Sequence, residues 1–466
     1  MAGFLHDDFL LSGETACALF HGVAERLPIV DLHNHLSPTD IAENRVFETL
    51  TDLWLEDDHY KWRAMRLAGF DERLVTGEAD PWERFAAWAE TVPGLVRNPL
   101  YVWTHLELRR VFGIDLPLGP RTAREIWDEA NRLLPGLPAR TLLARFGVST
   151  VATTDDPCDD LSAHRLLGGG AGGAPWMIPT FRPDAAHRLL DDPPAWNAWA
   201  DGLGVASDVR VDDLDSLLAA LTTAHEGFVE LGCRASDHGL ASLPDADHDP
   251  RLADSAVRRV RSGEAPSASE QEAALLEVVM HAARLAAGQD GVMQVHLGAR
   301  RDVSPRILEL LGHDAGADAV DDIRQGPGLV RLLANLERGG TLPRMVLYNA
   351  DPADDTLFAT VAGAFSRPGA TPLVQWGPPW WFNDHEDGIR RQLNQLSRTG
   401  RLAGFTGMVT DSRSLVSMTR HELFRRILCD TLGRDADAGL IPPDLDLLSA
   451  IVRGVCLDNA VTWFGL

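Results

Sequence analysis

The chain is long and acidic: its 466 residues carry 68 Asp and Glu against 43 Lys and Arg, a net charge of −25. This charge argues against nucleic acid and anionic membranes as partners, although it serves solubility equally well and leaves room for an anionic small substrate in a locally basic cleft. No apolar run reaches the roughly 18 residues of a membrane span, no signal-peptide pattern begins the chain, and five cysteines are scattered along it. These features predict a cytoplasmic protein with reduced thiols.

Eight short apolar runs, each ending in polar residues, recur along the chain. They lie at 28–33, 147–154, 176–181, 227–232, 291–297, 344–349, 372–376 and 404–410. From the second run onward, amphipathic segments separate the runs, as parallel strands with helical crossovers require. Eight strand–helix units predict an α/β fold, the (β/α)₈ TIM barrel, whose active-site loops follow the carboxyl ends of the strands.

The stretch between the first two runs shows helical patterns alone, at 50–65, 81–91 and 101–110. We interpret it as a helical insertion, residues 36–146, on the face of the barrel where loops build active sites. Residues 1–35 then form an N-terminal segment with the first strand, and 147–466 form the remaining barrel. The glycine run at 168–170 lacks the strand-then-helix context of a phosphate-binding loop and is interpreted as a linker.

A candidate metal site combines the two ends of the predicted barrel. His33 and His35 close the first run and are two residues apart, so that on a strand they point to the same side. Asp411 ends the eighth run, which a closed barrel places beside the first, and it supplies a third ligand. A His-x-His pair alone is weak evidence for a metal, because such pairs are more often ordinary polar loop residues, and it is Asp411 that favours the metal site. Two histidines and an aspartate suit one divalent metal, zinc first, with Mn²⁺, Co²⁺ and Fe²⁺ as alternatives.

Two arginines follow strands at the same end of the barrel. Arg182 comes after the third run and Arg413 after the eighth. A guanidinium binds a carboxylate through two parallel hydrogen bonds, so the pair suits an acidic or polyhydroxylated substrate. The alternative is that each arginine pairs with a neighbouring acid, Asp184 or Asp411.

A histidine and a tyrosine stand together in the helical insertion. His59 and Tyr60 are placed to move a proton to or from a sugar oxygen, although an aromatic-rich helix more often serves packing.

Four further side chains are candidates for substrate contact at the same end of the barrel. They are His238 and His296, which follow the fourth and fifth runs, and Trp380 and Trp381, which follow the seventh. Buried barrel histidines more often belong to the core. The tryptophans could stack on a sugar face or close the barrel mouth.

Taken in chain order, many segments resemble the uronate isomerase (glucuronate isomerase) family, a branch of the metal-dependent amidohydrolase superfamily. The matching segments lie at 9–11, 29–38, 57–66, 97–101, 153–157, 181–184, 236–238, 293–298, 380–384 and 410–413. The resemblance implies a barrel of the metal-dependent hydrolase type with a zinc-type metal on His33, His35 and Asp411. It also implies interconversion of D-glucuronate with D-fructuronate and of D-galacturonate with D-tagaturonate.

The chain departs from its relatives in three places. Asn34 stands between the two histidines, and Gly-Pro-Pro at 377–379 precedes Trp380, where small residues are expected. The sixth run ends in Tyr348 and Asn349 without the metal-binding histidine of two-metal hydrolases.

An aldose–ketose isomerase must open the sugar ring, remove the C2 proton, stabilise a cis-enediolate and return the proton at C1. We assign ring opening to His59 and Tyr60, acid–base transfer to Asp411, and enediolate stabilisation to Arg413 with the metal. Substrate contacts fall to Arg182, His238, His296, Trp380 and Trp381.

Two other functions remain open at this point. The first is a mononuclear metal-dependent hydrolase of a sugar-acid lactone or ester, and the second is a sugar-acid binder without activity. The expected partner in every case is a small acidic sugar, and a homo-oligomer is compatible with a barrel of this size.

Overall fold

The computed structural model describes residues 4–168, 176–189, 192–366 and 372–466. Its strands are short, buried and mostly parallel. They are β1 (Ile29–Asp31), β2 (Val148–Ala152), β3 (Trp176–Ile178), β4 (Ala235–Leu240), β5 (Val292–Leu297), β6 (Ala299–Arg300), β7 (Ala319–Val320), β8 (Arg344–Asn349) and β9 (Val374–Trp376).

The parallel strands form two arcs of one barrel. The first has the order β1-β2-β3 and the second β4-β5-β8-β9, while β6 and β7 form a separate antiparallel pair. Phe181 joins the arcs through parallel bridges to Asp155 and to Ser236. On the other side, the Asp411 amide donates to the His33 carbonyl at 3.0 Å, which brings the eighth segment to β1. The chain is therefore a (β/α)₈ barrel.

Every regular element between β1 and β2 is helical, as the sequence predicts for the insertion. The helices before and within it are α1 (Glu14–Gly22), α2 (Pro38–Glu43), α3 (Leu50–Trp54), α4 (His59–Leu67), α5 (Glu72–Val75), α6 (Pro81–Thr91), α7 (Pro99–Glu107), α8 (Ala123–Leu133) and α9 (Ala139–Arg145). Large apolar side chains such as Trp54, Phe85 and Trp88 are fully buried among them. The division of the chain at residues 35 and 146 stays a prediction.

The remaining helices cover the outside of the barrel and end the chain. They are α10 (Ser162–Leu167), α11 (Pro193–Ser207), α12 (Leu214–Glu230), α13 (Pro250–Arg261), α14 (Ala268–Gly288), α15 (Pro305–Leu311), α16 (Gly326–Arg338), α17 (Asp355–Ala364), α18 (Glu386–Thr399), α19 (Thr419–Asp437), α20 (Leu445–Arg453) and α21 (Asn459–Phe464).

Two strand predictions are wrong in detail. The run at 227–232 is not the fourth strand, because it forms the end of α12, which buries Phe228, and the strand starts only at Ala235. A short apolar run at a helix end cannot be distinguished from a strand by periodicity. The run at 404–410 forms no strand: Gly404 ends a 3₁₀ turn, Gly407 has a positive φ, and the segment joins the barrel through single hydrogen bonds such as those of Thr406 and Thr410. Most of the predicted glycine linker lies outside the described residues; Gly168 follows α10.

One helical stretch, Leu445–Phe464, is long and apolar enough to cross a membrane by length and composition, and a third of its most apolar window is buried. Val452, Trp463 and Phe464 in this stretch are packed in the protein core. A core helix satisfies the same criteria, so the stretch is weak evidence for a membrane span.

Candidate active site

A cavity of about 340 Å³ opens at the carboxyl ends of the strands, beside the helical insertion. It brings together all but one of the side chains that the sequence singled out: His33, His35, His59, Tyr60, Arg182, His296, Trp380, Trp381, Asp411 and Arg413. Its lining also contains charged residues that sequence reasoning did not assign to the site, namely Asp155, Asp156, Asp184, Arg188, Arg301 and Asp314.

The three metal-ligand candidates converge on one point. His33 Nε2 and His35 Nε2 each lie 3.1 Å from Asp411 Oδ1. Ligand atoms that surround zinc tetrahedrally at about 2.1 Å are about 3.4 Å from one another, so this spacing suits a small divalent ion. Burial lowers the pKa of His35 to about 4, which keeps its imidazole neutral and able to coordinate. The donor set and its spacing fit the metal that the sequence predicts.

Asp411 is held as a carboxylate and in a strained backbone conformation. Burial alone would raise its pKa, but hydrogen bonds from His33 and His35 hold that pKa well below its ordinary value. Its second oxygen accepts a hydrogen bond of 2.7 Å from Trp380 Nε1. The backbone φ is +46°, in the left-handed region that non-glycine residues rarely adopt. Such strain is typical of residues whose position matters for function.

His59 and Tyr60 begin helix α4, which turns their side chains toward the cavity. The Asp58 carboxylate caps this helix by accepting from the backbone amides of Tyr60 and Lys61. The His59 ring stacks on the Tyr60 ring at 4.7 Å and meets the Trp381 ring edge-on at 5.8 Å. Burial lowers the pKa of His59 to about 4 and raises that of Tyr60 well above 10. At neutral pH, His59 is therefore neutral and Tyr60 is a proton donor.

Arg182 is paired with two acids rather than one. Its Nε donates to Asp184 Oδ2 at 2.9 Å, and its Nη1 lies 3.0 Å from Asp237 Oδ2. The alternative that Arg182 pairs with its neighbour Asp184 is thus what the structure shows.

Asp237 is a buried acidic residue beside the cavity that the sequence analysis did not single out. It is fully buried, and its Oδ1 lies 2.8 Å from His296 Nδ1 and 3.9 Å from His33 Nδ1. The signal was present in the sequence, because Asp237 directly precedes the candidate His238 and lies within the matching segment 236–238. Successive strand residues point to opposite faces, so an inward Asp237 turns His238 away from the cavity.

His238 is the one predicted substrate contact outside the cavity lining. Its side chain is fully buried and its Nε2 lies 3.1 Å from Ser236 Oγ, two residues earlier on the same face of the strand. This placement matches the alternative of a core histidine.

A second group of potential metal ligands consists of His33, Asp237 and His296. The Arg182 guanidinium lies within hydrogen-bonding distance of Asp237 and already supplies a positive charge there. That contact disfavours a second cation, which agrees with the single metal expected from the sequence.

Asp314 also contributes to the cavity from a distance in sequence. It lies in the loop between α15 and β7, and its Oδ2 accepts from Arg413 Nη2 at 3.1 Å. Arg413 therefore pairs with Asp314 and not with the adjacent Asp411.

The aromatic side chains form one wall of the cavity. The His296 ring stacks on Tyr348 at 4.2 Å and meets Trp380 at 4.8 Å, and Trp380 in turn contacts Trp381 at 5.5 Å. Both tryptophans are buried, and Trp381 has a left-handed backbone φ of +53°. These aromatic rings offer a flat apolar surface beside the charged side chains of the cavity, and this arrangement suits a sugar.

Comparison with known proteins gives one consistent answer. The family model described as glucuronate isomerase matches residues 1–464. Uronate isomerases from Solibacter usitatus and Vibrio vulnificus are 43% and 44% identical, over 99% and 100% of this chain and 99% of each relative.

Solved structures agree with the sequence comparison. Uronate isomerase from Thermotoga maritima superposes with a TM-score of 0.92 at 34% identity, over 99% of this chain and 100% of that one. Glucuronate isomerase from Caulobacter crescentus superposes with a TM-score of 0.90 at 25% identity, over 99% and 97%. These matches confirm the barrel and the isomerase predictions and do not favour the hydrolase alternative. The chain belongs to the glucuronate isomerase family.

Proposed function

We propose that this chain interconverts D-glucuronate with D-fructuronate, and D-galacturonate with D-tagaturonate, in the cytoplasm. The observation that carries the proposal is the convergence of His33, His35 and Asp411 with Tyr60 and Arg413 on one cavity. The net charge of −25 supports a small-molecule substrate rather than nucleic acid or a membrane surface.

His33, His35 and Asp411 would hold one divalent metal, with Zn²⁺ the first candidate and Mn²⁺, Co²⁺ or Fe²⁺ the others. When bound, such an ion stabilises negative charge that develops on a substrate oxygen. The Asp237 carboxylate lies on the far side of the His33 ring, 3.9 Å from Nδ1, and places negative charge beside that nitrogen.

We assign ring opening to His59 and Tyr60, the first two residues of α4. Tyr60, protonated because burial raises its pKa, donates to the ring oxygen as the C1–oxygen bond breaks. Neutral His59, stacked on the Tyr60 ring, accepts the proton of the anomeric hydroxyl.

Proton transfer between C2 and C1 falls to Asp411, because its carboxylate faces the cavity beside Arg413. Trp380 occupies one lone pair of Oδ2 and leaves another for the substrate proton. The Arg413 guanidinium would stabilise the enediolate oxygens. His296, whose Nδ1 faces Asp237, keeps Nε2 for a substrate hydroxyl, and Trp380 and Trp381 pack against the carbon chain.

The test is proton NMR of the metal-loaded protein with D-glucuronate and, separately, D-galacturonate in D₂O. The expected result is the keto-uronate from at least one sugar, with metal bound near one equivalent per chain. Chelation should abolish turnover, and re-addition of single metals should identify the preferred ion. A loaded protein that forms no ketose from either sugar would overturn the proposal.

Two variants test the assigned roles. Asp411→Asn should stop transfer between C2 and C1, and the Asp411 role fails if this variant exchanges deuterium into C1 at the wild-type rate. Tyr60→Phe keeps the ring and its packing but removes the hydroxyl, so it should slow the reaction of the closed sugar.

A further inference from the structure

Tyr60 carries the ring-opening step of the proposed function, and its place in the cavity depends on the first turn of α4. The residue after it is Lys61, the only lysine among the 43 basic residues of the chain. We infer that Lys61 is a positioning residue: it anchors the Asp58 carboxylate that caps α4, and this anchor holds Tyr60 at the cavity. The inference rests on the proposed function and adds to it the residue that keeps its proton donor in place.

Lys61 is unusual in both residue type and environment. All the other Lys or Arg positions hold arginine, and Lys61 has only 2% of its surface exposed. A lysine is rarely buried unless it is paired. Its ammonium group is a compact point charge, whereas a guanidinium is a planar fork that presents five donors. A chain that uses arginine everywhere else therefore has its one lysine where a single buried carboxylate is bound.

The Asp58 carboxylate is both the partner of Lys61 and the cap of α4. Its Oδ2 accepts from Lys61 Nζ at 2.5 Å, and its Oδ1 accepts from the backbone amides of Tyr60 and Lys61 at 3.0 and 3.1 Å. Burial alone would raise the pKa of Asp58, but the Lys61 charge holds that pKa below its ordinary value. Asp58 is thus a carboxylate with one oxygen on the Lys61 side chain and the other on the helix.

A second cavity gives the Asp58 carboxylate another place to turn. This cavity of about 270 Å³ is lined by Asp58 and shares the side chains of His35 and Arg413 with the first. A buried carboxylate that lost its counter-charge would be strongly unfavourable, and rotation into the second cavity would let water reach it. Such a rotation would withdraw Oδ1 from the Tyr60 amide. Lys61 prevents the rotation because its Nζ holds Oδ2.

The cap of α4 acts directly on Tyr60. The Tyr60 ring stacks on His59, meets Trp103 edge-on at 6.2 Å and lies 5.4 Å from the Arg420 guanidinium. These contacts orient the ring, but the Cα is placed by the first turn of α4, where Asp58 binds the Tyr60 amide. Since a displacement of about 1 Å can cost roughly 100-fold in rate, loss of the cap should reduce turnover.

Two acidic residues provide matched controls. Glu107 of α7 is buried; burial raises its pKa, and the nearby Lys61 charge lowers it. E107Q therefore removes an acid close to the same lysine and leaves the cap of α4 unchanged. Asp249 caps α13 in the same way as Asp58 caps α4, accepting from the amides of Arg251 and Leu252 at 3.0 and 3.1 Å. D249N therefore removes a comparable charged cap from a helix that does not line the cavity.

The experiment observes Tyr60 directly, because the chain has only three tyrosines. Tyrosine labelled with ¹³C at Cζ gives three NMR signals, and Tyr60→Phe assigns one of them. We expect K61M to shift the Tyr60 signal and to leave those of Tyr101 and Tyr348 in place. In the metal-loaded protein, K61M should lower kcat for D-glucuronate between about tenfold and 100-fold and change KM less than about threefold, because the other substrate contacts lie outside α4.

Further variants keep the test informative if K61M does not fold. K61R should recover part of kcat, because it restores the charge without the geometry of the ammonium group. D58N/K61M removes both charges of the buried pair, and its Asn still offers a capping oxygen. This double variant should show the shifted Tyr60 signal and a kcat at least about fivefold below that of the wild type. E107Q and D249N should match the wild type in both measurements.

The outcomes separate this inference from the proposed function. If folded K61M or the double variant keeps the wild-type Tyr60 signal and kcat, Lys61 does not position Tyr60. The inference is also wrong if E107Q shifts the Tyr60 signal as much as K61M does, because the signal then follows local charge and not the cap. A wild type that turns over no uronate overturns the proposed function, and the tyrosine spectra then still decide whether Lys61 holds Tyr60.

Discussion

Thr410 donates both its backbone N–H and its hydroxyl to the Asp31 carboxylate, at 2.8 and 2.6 Å. Asp31 ends β1 two residues before His33, and Thr410 directly precedes Asp411. The contact joins the first and eighth segments of the barrel where a regular strand ladder is missing. The three candidate metal ligands are therefore positioned by side-chain hydrogen bonds that link the first and eighth segments of the barrel.

Replacing Thr410 with Val should weaken the hydrogen-bonded link between Thr410 and Asp31. The variant keeps the shape and the backbone N–H but removes a hydroxyl donor from a buried carboxylate, which costs about 1–3 kcal/mol. We expect that loss in urea unfolding together with reduced metal retention after dialysis. Thr360→Val is a control, because Thr360 is exposed and, within the described part of the chain, its hydroxyl donates only to carbonyls of its own helix α17. If Thr410→Val keeps the stability and the metal content of the wild type, the Thr410–Asp31 link does not position the candidate ligands.

Gly316 couples the loop before β7 to the start of α4. A Cβ at this position would lie 2.7 Å from the His59 carbonyl oxygen, and Gly316 has φ +82°. The same loop receives hydrogen bonds from Arg66 to the Ala315 carbonyl and from Arg63 to the Asp318 carbonyl. Gly316→Ala should displace His59 and Tyr60 and lower kcat at least about tenfold, since small misplacements of catalytic groups are costly.

A substitution at Gly312 is the control that distinguishes the effect of backbone strain from the effect of displacing His59 and Tyr60. It has a similar φ of +80°, but an added Cβ there meets nothing within 4 Å. Gly312→Ala should lose about 1–3 kcal/mol of stability, because φ +80° with ψ −162° is a backbone conformation essentially restricted to glycine. Gly316→Ala should also lose stability, through its positive φ and through the contact of the new Cβ with the His59 carbonyl. Thermal unfolding measures both losses. Only Gly316→Ala should lose activity, and equal kinetics in the two variants would show that the loop does not position α4.

The barrel was predictable because its strands are short apolar runs with amphipathic helices between them. The signal failed where a helix end imitated a strand, at 227–232, and where the eighth segment closes the barrel through the side chain of Asp31. Local periodicity reports neither case, because the first depends on helix length and the second on a partner 379 residues away.

The cavity was predictable in part for a similar reason. His33, His35 and Asp411 follow strands, and barrel topology alone brings such positions together. Arg301 and Asp314 gave no comparable signal. Their importance comes from charge pairing across the fold, such as Asp314 with Arg413, and a single sequence does not record which acid faces which base.

Arg420 is a buried arginine that contacts the segment carrying Asp411. Its Nη1 donates to the Thr410 carbonyl at 3.0 Å and lies 3.6 Å from Asp384 Oδ2, and its guanidinium lies 3.8 Å from the Trp103 ring centre. Arg420→Met should destabilise the protein by about 1–3 kcal/mol, because it removes the hydrogen bond to the buried Thr410 carbonyl and the positive charge beside Asp384, whose pKa burial raises to about 7. Adding Asp384→Asn should restore part of that loss. A double-mutant cycle in urea measures the coupling, and additive effects would contradict it.

Asp155 should make stability fall as pH rises. Burial raises its pKa from 3.8 to about 7, so the folded state binds this proton more tightly than the unfolded state does. The resulting stabilisation is complete below pH 4 and disappears as the pH passes 7. Asp155→Asn keeps an oxygen for the Thr153 hydroxyl and the Thr180 amide, which both donate to Oδ2, but has no proton to lose. Between pH 5 and pH 8, the free energy of unfolding in urea should therefore fall more in the wild type than in the variant, by a few kcal/mol at most. Every other titrating group is common to both proteins and cancels in the difference, so parallel pH profiles would show that Asp155 is ionised in the folded state at pH 5.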